Sequence, residues 1–474
     1  MTDTQPAPVA ARWVDLATKR NLPFSVLFAG SVALHAINVF IAITIMPLVV
    51  DDIGGLDLYA WSSTVFIASS IVSAALASRL LGAAGVKGAY LVAVVFFAAG
   101  STLCALASDM WVLIGGRAIQ GFGGGFFYAL SYAVIRTVYP KPLWPLAIGL
   151  ITVMWGVATL LGPAIGGIFA QIDAWRMAFW ALLPCAAGIA CLAVVSLPQA
   201  APNDTKRDPV PFVQIIILIL IVLSVSIGSI DTHAIKAVMA IAVSCVLGIY
   251  LAWIDRNAKT KLLPQGSFSL GTPMGRHFAY VALMILAMQG EVFVPFFLIE
   301  IHNQPPLWAG YMGALMALGW TVGSILTAGW SGANVRRIIL AGPVICAIGL
   351  VLQAIFLPLP SHGAWSILAP VCLGLLAVGF GIGVVWPHIV VRIYEVAPAH
   401  DHDLAAGGVT LVQLFATALG AAFAGMVVNL SGLDDAASNT SFAAFSICLT
   451  FAVFPALCVW VSRRLGSVVH PCCF

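Results

Sequence analysis

Few side chains in this sequence could do chemistry, and they stand alone inside long apolar runs. An ionisable group at the centre of a bilayer costs about 2.5–3.5 kcal/mol, so each one needs a reason to be there. Arg117 is followed by Gly121, Gly124 and Tyr128 on one helical face. By itself it can bond backbone carbonyls and hold helices together. Glu291 lies near the middle of the run 277–301 and is the only mid-membrane carboxylate. It is a candidate proton carrier or solute contact, or else a protonated acid bonded across a helix contact. His35 and Asn38 are three apart and share a face. A histidine can titrate near physiological pH, so His35 could serve as a coupling group, bond a polar solute with Asn38 and Gln120, or be a histidine bonded to a neighbouring helix. His388 follows Pro387 nearer one end of its run and is a weaker candidate.

Tyr128, Trp155, Trp320 and Trp386 are aromatic and stand near glycines. Rings lining a cavity suit a flat or apolar solute, although rings also fill helix contacts and face lipid. Gly162, Pro163, Gly166 and Gly167 form a packing or gating motif. Proline removes a backbone donor and bends a helix, and glycine allows close approach. His400-Asp401-His402-Asp403 reads as a solvated loop beside Pro398, with no metal expected. Asp51, Asp52 and Asp57 read as a solvated acidic cluster. No phosphate loop, zinc signature or nucleophile elbow occurs, so neither an enzyme nor a cofactor is expected.

The elements that must position these residues follow from composition. The chain has 474 residues, of which 61% are hydrophobic and 8% charged. A water-soluble core cannot hide that much apolar surface, so lipid must solvate part of it. The expected class is an all-α integral membrane protein. The net charge of +3 gives no reason to expect a nucleic-acid partner. Eight of the ten cysteines lie in apolar stretches and read as small buried hydrophobes, not as a disulfide framework. Cys472 and Cys473 sit in the tail without a lipidation pattern.

A crossing helix needs about 20 apolar residues. Fourteen runs qualify: 23–50, 58–81, 86–107, 110–138, 143–171, 175–197, 211–230, 233–254, 277–301, 307–331, 337–359, 364–395, 404–430 and 439–462. The longest connections follow the sixth and eighth runs. The chain therefore divides into an N-terminal segment of residues 1–22 with no cleavable signal peptide expected, a six-helix half at 23–197, loops and an inserted helix pair at 198–276, a second six-helix half at 277–464, and a tail at 465–474. Of 21 Lys and Arg, all but Arg117, Arg176 and Lys236 fall on one side, leaving 18 there. By the positive-inside rule that side, with both termini, is cytoplasmic.

The halves echo each other. Gly121-Phe-Gly-Gly-Gly-Phe-Phe-Tyr128 in the fourth run matches Gly379-Phe-Gly-Ile-Gly-Val-Val-Trp386 in the twelfth. Gly162 to Gly167 in the fifth matches Gly420 to Gly425 in the thirteenth. Two repeated halves around a central site are the plan of a rocking transporter.

These features carry a resemblance. Leu113-Ile-Gly-Gly-Arg117-Ala-Ile-Gln120-Gly resembles the fourth-span motif of the major facilitator superfamily. Gly156 to Gly167 with Trp175-Arg176-Met-Ala-Phe179 resembles its fifth-span antiporter motif and the start of its sixth span. Pro306-Leu-Trp-Ala-Gly310 is similar to the opening of the tenth. Together they resemble the fourteen-span drug:proton antiporter branch. Two departures stand out. Alignment on Pro47 puts Asn38 where that branch carries a first-span Asp. Gly82 and Ala83 replace the Asp and Arg of the loop after the second span.

The resemblance implies a bacterial inner-membrane transporter, monomeric, surrounded by lipid, moving a small molecule by alternating access. The branch implies proton-coupled efflux of drugs or metabolites, and the resemblance implies that Arg117 couples protonation to the change of shape. The lost acids instead favour uptake of a neutral, flat nutrient, such as the riboflavin carried by some importers of the superfamily.

Overall fold

The computed structural model describes residues 12–55, 58–198, 210–228, 234–431 and 437–465. These residues are helical throughout, apart from their connections. In chain order the helices are α1 (Trp13–Leu16), α2 (Leu22–Ile53), α3 (Tyr59–Ala105), α4 (Met110–Val138), α5 (Trp144–Gln171), α6 (Trp175–Trp180), α7 (Leu182–Ser196), α8 (Phe212–Gly228) and α9 (Ala234–Asn257). They continue as α10 (Pro273–Met288), α11 (Val294–Glu300), α12 (Pro306–Thr327), α13 (Ala333–Phe356), α14 (Trp365–Gly383), α15 (Trp386–Val396), α16 (His402–Leu430) and α17 (Ala437–Leu465).

Twelve helices among the described residues are long and apolar enough to cross a membrane. The expected number was fourteen, and two elements account for the difference. The runs 58–81 and 86–107 fall within the 47 residues of α3, which is not straight: Gly85 has φ 67° and ψ 177°, non-helical values inside it. Only glycine takes that conformation without strain. The seventh run appears as α8, with 17 residues.

Three other runs expected to be continuous are broken. The ninth divides into α10 and α11 around a 3-10 turn, Gln289–Phe293, which carries Glu291. The sixth divides into α6 and α7. The twelfth divides into α14 and α15 between Gly383 and Trp386. Pro387 explains the last break, because it has no N–H to offer the Gly383 carbonyl. The Ser324 hydroxyl donates to that carbonyl instead, at 3.1 Å. The Thr327 hydroxyl donates to the next carbonyl, Val384, at 3.0 Å. The broken backbone is therefore satisfied from α12.

Glycine rows set the packing. A Cβ on Gly121 would collide with the Phe66 carbonyl of α3, and one on Gly123 with Phe97 further along the same helix. A Cβ on Gly379 would collide with the Met316 carbonyl of α12, and one on Gly381 with the Gly342 carbonyl of α13. α4 and α14 thus occupy equivalent places, α4 pressed backbone to backbone on the two arms of α3 and α14 on α12 and α13. The equivalence extends further: Gly162 of α5 abuts Phe40 of α2, and Gly420 of α16 abuts Gln289 beside α10.

The result is an N-terminal bundle, α2–α7, and a C-terminal bundle, α10–α17. They meet where α5 packs on α12 and α15, and where α16 packs on α3 and α4. α8 and α9 pack on each other, and α8 lies on α16.

Candidate functional site

α4 supplies the centre of the site. Asp109 caps its start, accepting bonds from the Trp111 and Val112 amides at 2.9 and 3.0 Å. That satisfies donors a helix start leaves open. Two turns later Arg117 is 1% exposed. One guanidinium nitrogen donates to Gln120 Oε1 at 2.6 Å and Asn38 Oδ1 at 3.3 Å. Gln120 in turn donates to the Ser101 hydroxyl at 2.7 Å. The guanidinium carbon stands 4.1 Å from the centre of the Phe66 ring. Arg117, Asn38 and Gln120 therefore form one buried network linking α2, α3 and α4. No carboxylate is ion-paired to Arg117 among the described residues.

His35 lies one helical turn from Asn38. Its imidazole stacks on Tyr128 at 5.5 Å and on Phe66 at 5.4 Å, and meets Trp155 edge-on at 5.9 Å. Gly124 leaves the room, since a Cβ there would press on His35 Nδ1. Tyr128 also meets Trp155 at 5.6 Å and Tyr132 at 5.6 Å.

The chain of rings continues across the seam. Trp386 Nε1 donates to the Tyr132 hydroxyl at 3.1 Å, and Trp320 lies 5.4 Å from Trp386. Gly156 on α5 lets the Thr321 hydroxyl approach from α12. Gln413 of α16 faces the Tyr128 hydroxyl. The four aromatic candidates thus fall at one place, contributed by both bundles. Tyr132, Phe66, Thr321 and Gln413 join them and were not singled out by the sequence. A tyrosine one turn after Tyr128 was the available signal.

Several polar atoms there are buried without a well-formed hydrogen bond: His35 Nδ1, Trp320 Nε1 and Thr321 Oγ1, together with Tyr128 Oη and the Trp155 Nε1 and Gln413 Oε1 that face it. Buried polar groups are nearly always paired, so such a cluster points to a site for something else.

Glu291 is elsewhere. It opens onto a narrow pocket inside the C-terminal bundle, lined by Met288, Gln353, Leu375, Ile447 and Phe451 among others. The structure does not join it to Arg117 or His35.

The remaining candidates have structural partners. Gly162 and Gly166 pack against Phe40 and Thr44 of α2, while Pro163 is exposed and Gly167 has open space. α5 runs unbroken through Pro163. His388 bonds the Thr327 carbonyl at 2.8 Å. His402 bonds Arg136, and no group of metal-ligating residues forms among the described residues. Asp52, expected to be merely solvated, accepts from Trp175 and Arg176 and ties the end of α2 to α6. Asp57, Cys472 and Cys473 lie outside the described residues.

One end of the seam is tied shut. Tyr394 donates to the Tyr132 carbonyl at 3.1 Å, and Lys141 pairs with Glu395 at 2.9 Å. Arg136 reaches His402 from the same level. These ties join the end of α4 and start of α5 to α15 and the start of α16.

The family model described as Major Facilitator Superfamily matches residues 28–421. The chain belongs to the major facilitator superfamily. It is 33% identical over 453 residues to a Mycobacterium tuberculosis protein named "Probable multidrug-efflux transporter Rv1634", covering 94% of this chain and 95% of that one. It is 26% identical over 373 residues to the multidrug transporter protein MdtP of Bacillus subtilis, covering 74% of this chain and 65% of that one. Among solved structures it is similar to the human organic anion transporter MFSD10, with a TM-score of 0.68 at 16% identity over 94% of this chain and 99% of the other. A transporter of the POT family, solved with 5-aminolevulinic acid, gives 0.64 at 15% identity, covering 94% and 96%. These last two bear on the fold alone. Members of this superfamily are transporters and not enzymes, so the chain is a multi-pass membrane transporter.

Proposed function

We propose that this protein exports small organic solutes, drug-like compounds among them, by alternating access. The observation that carries this reading is the cluster of rings and unpaired polar atoms shared by both bundles at a seam tied shut at one end. A site built from two bundles changes its exposure when they rock against each other. The efflux relatives, matched over nearly the whole chain at 33% identity, support export as the direction. Flavin uptake, the expectation drawn from the lost acids, has no supporting observation, since nothing at the seam singles out a flavin.

Arg117, Asn38 and Gln120 would couple the state of the site to the arrangement of α2, α3 and α4. His35, Tyr128, Trp155, Trp320 and Trp386 would line the solute site. Glu291 would carry the exchanged proton in its own pocket. Gly162 and Gly166 would hold α5 against α2.

On this reading the chain crosses the inner membrane fourteen times, with both termini cytoplasmic, as a monomer in lipid. α3 would cross twice, turning at Gly85. Its 47 residues would otherwise extend about 70 Å, more than twice the bilayer core. α8 would cross as well, its 17 residues spanning about 26 Å. The tied end of the seam is then the cytoplasmic end.

The test is a resistance profile in bacteria stripped of their own pumps. Expression should raise inhibitory concentrations for several unrelated compounds. Arg117→Ala should abolish this at unchanged membrane abundance. Sensitivity identical to empty-vector cells, with well-inserted protein, would sink the export reading.

A further inference from the structure

The unpaired atoms at the seam form a pattern of their own. Trp155 Nε1 and Trp320 Nε1 are both buried: Trp320 Nε1 has no partner, and Trp155 Nε1 faces the Tyr128 hydroxyl without a well-formed hydrogen bond to it. An indole nitrogen can only donate. One comes from α5 and the other from α12, so the donors stand on opposite bundles. The Thr321 hydroxyl, without a partner, can donate as well, and so can the Tyr128 hydroxyl, which faces Trp155 and Gln413. A solute meeting these donors must carry acceptor oxygens or nitrogens on more than one edge, while the one unpaired acceptor of the cluster, Gln413 Oε1, is left to the Tyr128 hydroxyl that it faces.

Charge narrows the class further. The charged residue that acts on His35 is Arg117, a cation. Among the described residues no Asp or Glu is bonded or ion-paired to His35, Tyr128, Trp155, Trp320 or Trp386. Glu291 faces a separate pocket. A cation entering the seam would lose its hydration with no counter-charge to replace it. Aromatic faces could compensate through cation–π attraction. However, the Phe66 face already carries Arg117 at 4.1 Å, and His35 and Tyr128 stack on each other, so only the faces of Trp155, Trp320 and Trp386 are left to a cation, with no carboxylate bonded to them among the described residues.

We propose that the seam selects planar solutes that are neutral or anionic and rich in hydrogen-bond acceptors, with Trp155 and Trp320 as the donors that read them from the two bundles. This rests on the reading of the seam as the solute site.

The test uses two dyes with the same fused-ring plan and opposite charge. Fluorescein is anionic and acceptor-rich, and rhodamine 123 is cationic. Full-length protein is reconstituted in liposomes and dye movement is followed under an imposed proton gradient. Fluorescein should show saturable, protein-dependent transport, and rhodamine 123 should remain at the rate of empty liposomes. Trp155→Phe and Trp320→Phe keep the ring and remove the donor. Each should lower fluorescein transport about ten-fold, the cost of one acceptor left unpaired in a buried site. Elution and melting like the parent protein would show that both variants fold. Rhodamine 123 moving as fast as fluorescein overturns the charge selection and leaves export standing. Unchanged fluorescein transport in both variants overturns the donor role. Movement of neither dye overturns the selection outright, and the export reading then depends on the resistance profile alone.

Discussion

The Trp386 indole donates to the Tyr132 hydroxyl at 3.1 Å, and this bond passes from one bundle to the other. Both side chains are buried, at 1% exposure each. The bond sits between the ring cluster and the tied end of the seam, where it helps hold the bundles together. Removing it with Tyr132→Phe should cost about 1 kcal/mol, or roughly a five-fold shift toward opening at this end. Cysteine labelling from that side would read the shift. Trp386→Phe should give a similar change. The double variant should exceed neither single one by much, since both remove the same bond. Equal labelling in all four proteins would remove this bond from the gate.

The salt bridge between Lys141 and Glu395 should matter far less. Its side chains are 65% and 40% exposed, and pairs of that kind contribute little. Lys141→Ala should leave both melting temperature and labelling near the parent values. A large effect would mean that the tied end depends on charge, not on buried bonds.

Gly121 and Gly167 make a contrasting pair. A side chain on Gly121 meets the Phe66 backbone, whereas one on Gly167 meets nothing within 4 Å. Gly121→Leu should fail to accumulate in the membrane. Gly167→Ala should accumulate, melt and transport like the parent. Normal folding of Gly121→Leu would show that α3 and α4 can separate, contrary to the close packing described.

The break between α14 and α15 predicts a rescue. Ser324→Ala leaves the Gly383 carbonyl without its donor, because Pro387 supplies none. The variant should lose about 1–3 kcal/mol of stability, the cost of an orphaned buried group. Adding Pro387→Ala restores an N–H four residues on and should recover part of the loss in a thermal melt. A double variant less stable than Ser324→Ala alone would mean that the break is held by something other than Pro387.

Glu291 should separate from Arg117 functionally, as it does in space. Glu291→Gln keeps the shape of the side chain and removes the exchangeable proton. If Glu291 carries the coupled proton, transport in liposomes should lose its response to an imposed proton gradient while exchange at equal pH persists. Arg117→Lys should instead reduce both, because one guanidinium nitrogen serves Asn38 and Gln120 together. A gradient response retained in Glu291→Gln would remove the proton role.

The membrane class, the helical fold and the glycine echo between Gly121 and Gly379 were legible because each depends on local composition or fixed spacing. The kinship of Arg117, Asn38 and Gln120 was legible only in part. Spacing placed Gln120 near Arg117, but their bond to α2 is a tertiary fact. Thr321 and Gln413 gave no signal, because a threonine and a glutamine gain meaning only from what faces them across a seam. The 3-10 turn at Glu291 had signals of its own, Gln289 and Gly290 before the acid and Pro295 after it, which offers no N–H to the Glu291 carbonyl, yet the run as a whole is apolar enough to read as one span. The Pro387 break had a visible cause, yet its location depended on whether α12 could offer hydroxyls to the freed carbonyls.

The glycine rows have a mechanical consequence. Where main chain lies on main chain there are no side chains to repack, so α3 with α4, and α12 with α13 and α14, have no second arrangement available nearby. Each group behaves as a stiff plate. The slack in the molecule is left to the strip between the plates, where contact is made by the tips of rings and hydroxyls. A solute that wedges or bridges those tips therefore acts on the whole of both plates at once.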